Sequence, residues 1–209
     1  YLRSLRLAEE LKDTVRIITL RSNIGAVYQN KDITKSKALE FFKAALPLAE
    51  ALNDEVILGT VYVNLGEMYL LNNSLDTALI YFTKSFKTYE GTPDVSYSLM
   101  NLGKVYRRKG DYTNGVKYGE KAYEEAVKLD SKSDIAITLV ALGETYAASG
   151  DVANAIKRFH AAEKIAKEIS AEYQLKGAYE GLSAAYAKTG NYAKAFSYQE
   201  KLLAVKDTL

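Results

Sequence analysis

The chain has 209 residues, of which 48% are hydrophobic and 26% are charged, a composition ordinary for a globular protein. It contains no cysteine, which excludes disulfides, thiolate nucleophiles and cysteine metal sites. The net charge of +2 is too balanced to indicate nucleic acid or an anionic membrane as the main partner. No apolar run reaches about 18 residues, so the sequence predicts no transmembrane helix.

From the amino end onward, one six-residue pattern recurs that ends in Tyr and carries a small residue at its third position. The copies lie at 23–28, 64–69, 101–106, 141–146 and 181–186. The small residue is Gly at positions 25, 66, 103 and 143 and Ser at 183, so successive copies are 37 to 41 residues apart. This period predicts an array of structural repeats, because a globular bundle would not require the same packing residues at equal intervals.

Each copy is followed by a break in the helical pattern and then by a second helix. Three breaks carry a glycine and then Asp or Asn, at 110–111, 150–151 and 190–191. The glycine suits a left-handed residue just beyond a helix end, and the Asp or Asn suits the N-cap of the next helix. The breaks around 72–74 and 30–32 use the same chemistry without glycine.

The second helix of each pair carries a small residue, followed about one turn later by an aromatic residue. The small residues are Ala38, Ala78, Gly115, Ala155 and Ala195, and the aromatic ones are Phe42, Phe82 and Phe159, with Tyr118 and Tyr198 shifted by one position. We expect Gly66 and its equivalents to let a second backbone approach closely and Ala78 and its equivalents to receive that approach. Tyr69 and Phe82 would then fill the space between layers.

The predicted fold is all-α, a right-handed superhelical solenoid of antiparallel helix pairs in one continuous domain. Residues 1–11 are predicted to be the second helix of a truncated repeat, and five full repeats follow at 12–54, 55–93, 94–133, 134–172 and 173–209. Because solenoids normally end in polar capping helices, the apolar ridge of Leu202, Leu203 and Val205 favours either further chain or pairing with another copy.

The order Leu-Gly-x-x-Tyr, Gly-Asp-Tyr, Ala, Phe resembles the tetratricopeptide repeat along essentially the whole chain. The usual repeat is shorter, near 34 residues, and the longer period is similar to the extended variant of bacterial peptide-sensing regulators and cell-polarity scaffolds. Residues 198–209 are similar to the last repeat of sensor proteins in which a coiled coil and an output domain follow. The resemblance implies a protein- or peptide-binding module.

In this family the first helix of each pair lines a concave groove, and helical spacing from the Gly and Tyr places the groove residues. The predicted floor consists of Ser22, Ala26, Gln29, Val63, Glu67, Leu70, Met100, Lys104, Arg107, Val140, Glu144, Ala147, Glu180, Ala184 and Ala187. The family's chaperone-tail clamp has a Lys and an Asn where this chain has Ser22 and Ala26, which argues against a chaperone carboxy-terminal tail as ligand.

Two polar groups on the first helices invite a binding interpretation. Asn23, Asn64 and Asn101 could bind the backbone of an extended ligand through their amides, or could equally satisfy a neighbouring helix or water. A basic cluster of Lys104, Arg107, Arg108 and Lys109 could seat a carboxylate or phosphate, or could simply complement the dipole at a helix C-terminus. The candidate groove residues are therefore Asn23, Asn64, Glu67, Asn101, Lys104, Arg107 and Glu144.

The sequence gives no sign of an enzyme. Its single histidine, His160, has no second histidine at helical spacing, and a surface position is expected for it. We expect no catalytic residue, no metal and no cofactor, and we expect no binding of nucleic acid and no membrane contact by this segment.

The leading functional hypothesis is a protein- or peptide-binding module that forms the sensory or regulatory segment of a larger signalling protein. The alternative is a self-assembly scaffold without a groove ligand, which associates through exposed terminal helices. The expected location is the cytoplasm, with an extracytoplasmic sensor segment of a bacterial membrane protein as the alternative.

Overall fold

The computed structural model describes residues 1–29 and 32–208, and the chain divides into two compact units, Tyr1–Thr92 and Pro93–Leu209. Within the described residues the secondary structure consists of eleven α-helices and one short 3-10 turn, with no strand. The all-α fold class is therefore confirmed. Asn30 and Lys31 of the first predicted break and Leu209 of the last predicted repeat lie outside the described residues. The repeat boundaries stay a prediction.

The first unit holds five helices that pack in sequence. They are α1 (Leu2–Glu10), α2 (Thr14–Gln29), α3 (Lys35–Leu52), α4 (Glu55–Leu71) and α5 (Leu75–Thr88), with the 3-10 turn Asp32–Thr34 before α3. Helices α2 and α3 form one pair and α4 and α5 the next, while α1 packs on α2 and α3 packs on α4. The largest side chains buried in this unit include Ile18, Phe42, Leu65 and Met68.

The second unit holds three further pairs. Its helices are α6 (Val95–Arg108), α7 (Tyr112–Lys128), α8 (Lys132–Ser149), α9 (Val152–Glu168), α10 (Glu172–Lys188) and α11 (Tyr192–Lys206). Each odd-numbered helix packs against the even-numbered helix before it, and α8 also packs against both α6 and α10. The first helices of these pairs therefore form a continuous layer.

The turns within the pairs have the predicted chemistry. Gly150 follows α8 with φ of +89°, a left-handed conformation that glycine adopts without steric cost. The side chain of Asp151 then caps α9 by accepting a hydrogen bond from the Asn154 backbone N–H at 3.1 Å. The same arrangement recurs at Asp111 before α7 and at Asn191 before α11. The break after α4 uses Asn73 with φ of +58° in place of glycine.

The turns that precede the first helices also contain a left-handed residue. Before α6 it is Gly91, with φ of +81°, and before the other four it is not glycine: these residues are Lys12, Asn53, Asp130 and Ser170, with φ between +50° and +57°. In the turn before α8, the N–H of Ser131 donates to the Ala126 carbonyl and the N–H of Asp130 donates to the Val127 carbonyl. This doubly bonded geometry is the Schellman type of helix end, and it leaves the chain little freedom between pairs.

The prediction that the first-helix glycine makes room for a second backbone is wrong for three of the pairs. A Cβ added at Gly66 would lie 2.7 Å from a ring carbon of Phe82, so an aromatic ring and not a backbone occupies the space above the glycine. The rings of Phe42 and Phe159 lie against Gly25 and Gly143 in the same way. The phenylalanines are fully buried, because the missing side chain makes room for them.

Two pairs depart from this glycine–phenylalanine contact. In the pair α6–α7 the position of the ring is taken by Gly119, and a Cβ on Gly103 would lie 3.0 Å from the Gly115 carbonyl oxygen, which is the close backbone approach that the sequence predicted. In the pair α10–α11 the glycine is replaced by Ser183, whose hydroxyl donates to the Ala195 carbonyl at 3.0 Å and lies 3.3 Å from Oε1 of Gln199.

Candidate binding surface

The layer of first helices in the second unit carries two adjoining cavities that share Glu144. The Tyr173 cavity has a volume of about 170 Å³ and is lined by Lys104, Ile137, Val140, Ala141, Tyr173 and Gln174 together with Glu144. The Phe159 cavity has a volume of about 370 Å³, and its apolar walls are Ala147, Val152, Phe159, Gly181, Ala184 and Ala185. Its charged groups are Arg107, Glu144 and Lys188.

An ion pair joins α6 to α8 at the boundary between the two cavities. Nη2 of Arg107 lies 2.8 Å from Oε2 of Glu144, and the two side chains are 25% and 40% exposed. The Nε of Arg107 is buried and has no hydrogen-bond partner within the described residues. A buried donor without a partner is unfavourable, so Arg107 keeps an unused capacity to donate at this place.

The structure brings three of the seven candidate residues together, since Lys104, Arg107 and Glu144 all line these cavities. Of the other predicted floor residues of this unit, Val140, Ala147 and Ala184 lie there too. Three do not. Met100 is buried, Glu180 is exposed with its carboxylate 3.5 Å from the Lys206 ammonium, and Ala187 is exposed and lines neither of the two cavities.

The three candidate asparagines have different environments. Asn101 is only 1% exposed, and its amide nitrogen donates to the Tyr97 carbonyl at 3.0 Å, so we leave it out of the proposed surface. Asn23 is exposed and Asn64 is half-buried, and Glu67 is half-buried as well. The cavity of about 230 Å³ in the first unit contains none of them, because it lies around Arg21, Glu9 and Phe41. A binding role for Asn23, Asn64 and Glu67 stays a prediction.

Several residues that line the cavities were not among the predicted floor residues, although helical spacing could have placed some of them. Ile137 lies seven positions before Glu144 and Lys188 lies four positions after Ala184, so both follow from helical spacing. Tyr173 lies in the first turn of α10, ten positions before Ser183 and outside the motif that placed the floor residues. Phe159 comes from a second helix, and no pattern confined to the first helices could have found it.

A polar cluster connects α9, α10 and α11 away from the cavities. The Glu163 side chain is 10% exposed, and its carboxylate accepts hydrogen bonds from Lys167 at 2.7 Å and from the Tyr198 hydroxyl at 3.3 Å. His160 lies with Nδ1 3.2 Å from that carboxylate and Nε2 2.9 Å from the Tyr186 hydroxyl. His160 is therefore half-buried in a structural network and is not the plain surface residue that the sequence suggested.

The charges in this cluster shift two pKa values. Burial alone would raise the pKa of Glu163, but the hydrogen bond and charge of Lys167, with His160 and Lys201, lower it below the ordinary value of 4.5. Burial, followed by the neighbouring Glu163 carboxylate, raises the pKa of Tyr198 to about 12. Both shifts favour a charged Glu163 hydrogen-bonded by a neutral Tyr198, which is a stabilising arrangement between helices.

Neither a metal centre nor a membrane-spanning helix is found among the residues that the structure describes. In the part of the chain that the structure describes, no group of three or more His, Asp or Glu side chains could hold a metal ion. None of the described helices is long and apolar enough to cross a membrane.

Helix pairs that stack through a layer of first helices define a helical-repeat protein. A profile described as the tetratricopeptide repeat matches residues 94–168 and 134–208, which together span more than half of the chain. The chain therefore belongs to the tetratricopeptide-repeat family, whose fold is typically a non-catalytic module for protein interaction. No curated protein matches the chain.

Solved structures of similar fold come from several contexts. BtubC from P. vanneervenii has 21% sequence identity and a TM-score of 0.81, over 99% of this chain and 88% of that one. Aspartyl phosphate phosphatase F from Bacillus subtilis has 17% identity and a TM-score of 0.78, over 98% of this chain and 55% of that one. A signal transduction ATPase with numerous domains and a tetratricopeptide-repeat sensor, from Pyrococcus horikoshii, has 20% identity and a TM-score of 0.77, over 97% and 32%.

At sequence identities of 17% to 21%, similarity to these solved structures establishes the fold and no function. The fold class is the solenoid of helix pairs that the sequence predicted. The chain spans about half of the phosphatase and about a third of the ATPase.

Proposed function

We propose that this chain binds a protein or peptide segment on the first helices of its second unit, as the sensory or regulatory part of a larger signalling protein. The observation that carries the binding proposal is the pair of adjoining cavities, whose apolar walls meet at the Arg107–Glu144 ion pair. Apolar concavities with a few placed polar groups are the usual form of a ligand site. The regulatory role is supported by relatives of this fold that include a phosphatase and an ATPase with a repeat sensor.

A selection from a random dodecapeptide phage library on the immobilised chain tests the binding proposal. We expect enriched peptides that bind the chain in solution with one-to-one stoichiometry, as measured by fluorescence anisotropy of the labelled synthetic peptide. A library that gives no enrichment above the uncoated support would contradict the proposal.

The double variant Lys104→Glu with Arg107→Glu tests the place of binding. Because both residues line the cavities, we expect the enriched peptides to bind at least about tenfold more weakly, a loss of about 1.4 kcal/mol. The matched control is Lys157→Glu with Lys164→Glu, which makes the same charge change on exposed positions of α9. Circular dichroism must show that both variants keep their helices. Equal affinity of the two variants would remove this surface from the proposal.

Self-assembly is the second candidate, because apolar side chains are exposed on the helices at both ends of the described chain. On α1 these are Leu2 and Leu7, and on α11 they are Tyr192, Phe196 and Leu203. Static light scattering across a concentration series separates the candidates. A mass that stays at one copy, 23.2 kDa, up to high concentration argues against the scaffold.

A further inference from the structure

We propose that the segment bound at the two cavities places an apolar side chain in each of them and carries an acidic side chain beside the one in the Phe159 cavity. This inference rests on the proposed function and names the chemistry of its ligand. It commits to an internal stretch of a peptide or protein, with Asp or Glu as the acidic group.

The charges around the cavities argue for an acidic partner. Three cationic side chains and one carboxylate line them, namely Lys104, Arg107, Lys188 and Glu144. The carboxylate of Glu144 is already paired with Arg107 at 2.8 Å, so it does not offset the ammonium group of Lys188 at the Phe159 cavity. Lys188, at the far wall of the Phe159 cavity, makes no ion pair within the described part of the chain. An approaching carboxylate meets complementary charge here, and a cationic segment meets repulsion.

Arg107 supplies a second reason that is independent of net charge. Arg107 lines the Phe159 cavity, with Nη2 held by Glu144 and with the buried Nε lacking a hydrogen-bond acceptor. A carboxylate of the ligand in this cavity would accept from the guanidinium N–H groups that Glu144 leaves unused, and a charged acceptor forms the stronger bond. Glu144 fixes the guanidinium in place, so little side-chain entropy is lost when the ligand binds.

The arrangement of the cavities argues for an internal segment with two apolar side chains and not for a chain end. The α8 residues of the Tyr173 cavity centre near position 140, and those of the Phe159 cavity centre near position 145. Five residues of helix correspond to about 7.5 Å, and the α10 residues of the two cavities centre about eleven positions, or about 16 Å, apart. Side chains two or four positions apart on one face of an extended chain are separated by about 6.6 or about 13 Å, and side chains seven or eight apart on one face of a helix by about 11–12 Å, so one segment can reach both cavities.

The peptides enriched from the random dodecapeptide library, resynthesised with acetylated and amidated ends, test the inference. We expect Asp or Glu within two positions of a bulky apolar residue and a second apolar residue at the spacing given above. Lys188→Glu should weaken the binding of these peptides about fivefold and reduce its salt dependence, whereas Lys164→Glu on α9 should leave it within twofold.

A second pair of variants tests the Phe159 cavity without changing charge. Ala184→Leu places a larger apolar group in the cavity, and we expect it to weaken binding about tenfold or more. Ala187→Leu adds the same group one turn further along α10, outside the cavity, and should change affinity less than twofold. Both positions are exposed, so neither variant disturbs the core.

The outcomes separate this inference from the proposed function. Enriched peptides without acidic residues, peptides that bind only through a free carboxy terminus, or equal affinity of the two leucine variants would overturn the inference and leave peptide binding intact. A library with no enriched peptide would overturn both.

Discussion

Phenylalanine rings take the place of missing side chains at the centre of the helix pairs. Phe159 lies against Gly143 of its own pair and also against Gly181 of the next first helix, so one ring joins two consecutive pairs of the second unit. Both contacts need a residue that has no Cβ. The two glycines are therefore required because the ring packs against them, and not because their backbone adopts a conformation that favours glycine.

Gly143→Ala is expected to destabilise the chain by about 1–2 kcal/mol, because the new methyl group would lie 2.6 Å from a ring carbon of Phe159. Helix propensity alone would favour alanine by about 1 kcal/mol, so the sign of the change is diagnostic. Urea unfolding measures it. In the background of Phe159→Leu the same change should become neutral or stabilising, and an unaltered cost in that background would show that the ring is not the cause.

The equivalent position in the last pair is a useful control. Ser183 already carries a Cβ and makes hydrogen bonds with the Ala195 carbonyl and Gln199. We expect Ser183→Ala to cost no more than about 1 kcal/mol, the usual net value of a hydrogen bond.

The Glu163 cluster makes stability depend on pH in the acid range. Because the pKa of Glu163 is lowered in the folded chain, its contribution is fully present above 4.5 and is lost as the pH falls through the folded pKa. We expect the difference in urea midpoint between the wild type and Glu163→Gln to persist at pH 5.5 and to shrink below 4.5. The control, Glu200→Gln, changes an exposed carboxyl on α11. A difference that stayed constant down to pH 3 would contradict the assignment.

At the scale of the helix, the caps show how far local sequence decides structure. Asp111, Asp151 and Asn191 cap their helices as predicted, since a cap depends only on residues within one turn. The contact above the first-helix glycine was not predictable in this way. It depends on whether a ring or a glycine occupies a position on the partner helix, as the difference between Phe159 and Gly119 shows.

The same limit applies to the candidate site. Lys104, Arg107 and Glu144 were found because groove residues follow from spacing within a helix, but their ion pair joins two helices whose relative register the sequence does not state. Asn101 failed as a surface residue because a residue on the correct motif position can still face a neighbour and be covered by it. Motif position thus indicates a helix face more safely than it indicates exposure.

Two first helices, α6 and α10, lack a side-chain cap, and the second of them gives a prediction at the same scale. Ala171 precedes α10 without a cap bond, whereas Ser131, forty positions earlier, caps α8 by accepting from the Asp134 N–H at 3.4 Å. We expect Ala171→Ser to stabilise the chain by about 0.5–1 kcal/mol, with Gln174 completing a capping box. Ser131→Ala should destabilise it by about the same amount. Thermal unfolding of the two variants decides the matter, and a destabilised Ala171→Ser would contradict the prediction.

At the scale of the whole molecule, the chain consists of two compact units with their own cores. Within the second unit, buried clusters form around Leu139, Ala162 and Ala178 and around Ala155, Phe159 and Leu182. Both cavities of the proposed surface are lined by residues of this unit alone. In repeat proteins stability is approximately a sum over units and their neighbours, so parts of the chain can fold separately.

A fragment of residues 93–209 is therefore expected to be helical and to bind the enriched peptides within about threefold of the full chain's affinity. Circular dichroism and fluorescence anisotropy measure the two properties. A fragment that folds but does not bind would show that the first unit contributes to recognition, contrary to this expectation.

The left-handed turns before the first helices limit how the array can change in length. The turns around Asp130 and Ser170 are three-residue connections closed by paired backbone hydrogen bonds, so an inserted residue cannot be accommodated there. The extra residue would lengthen a helix instead, and it would rotate the apolar face of that helix by about 100° relative to the next pair. Only changes of three or four residues, close to one full turn, would keep the phase, and the two repeats joined by these turns accordingly have equal steps of 40, from Gly103 to Gly143 and from Gly143 to Ser183.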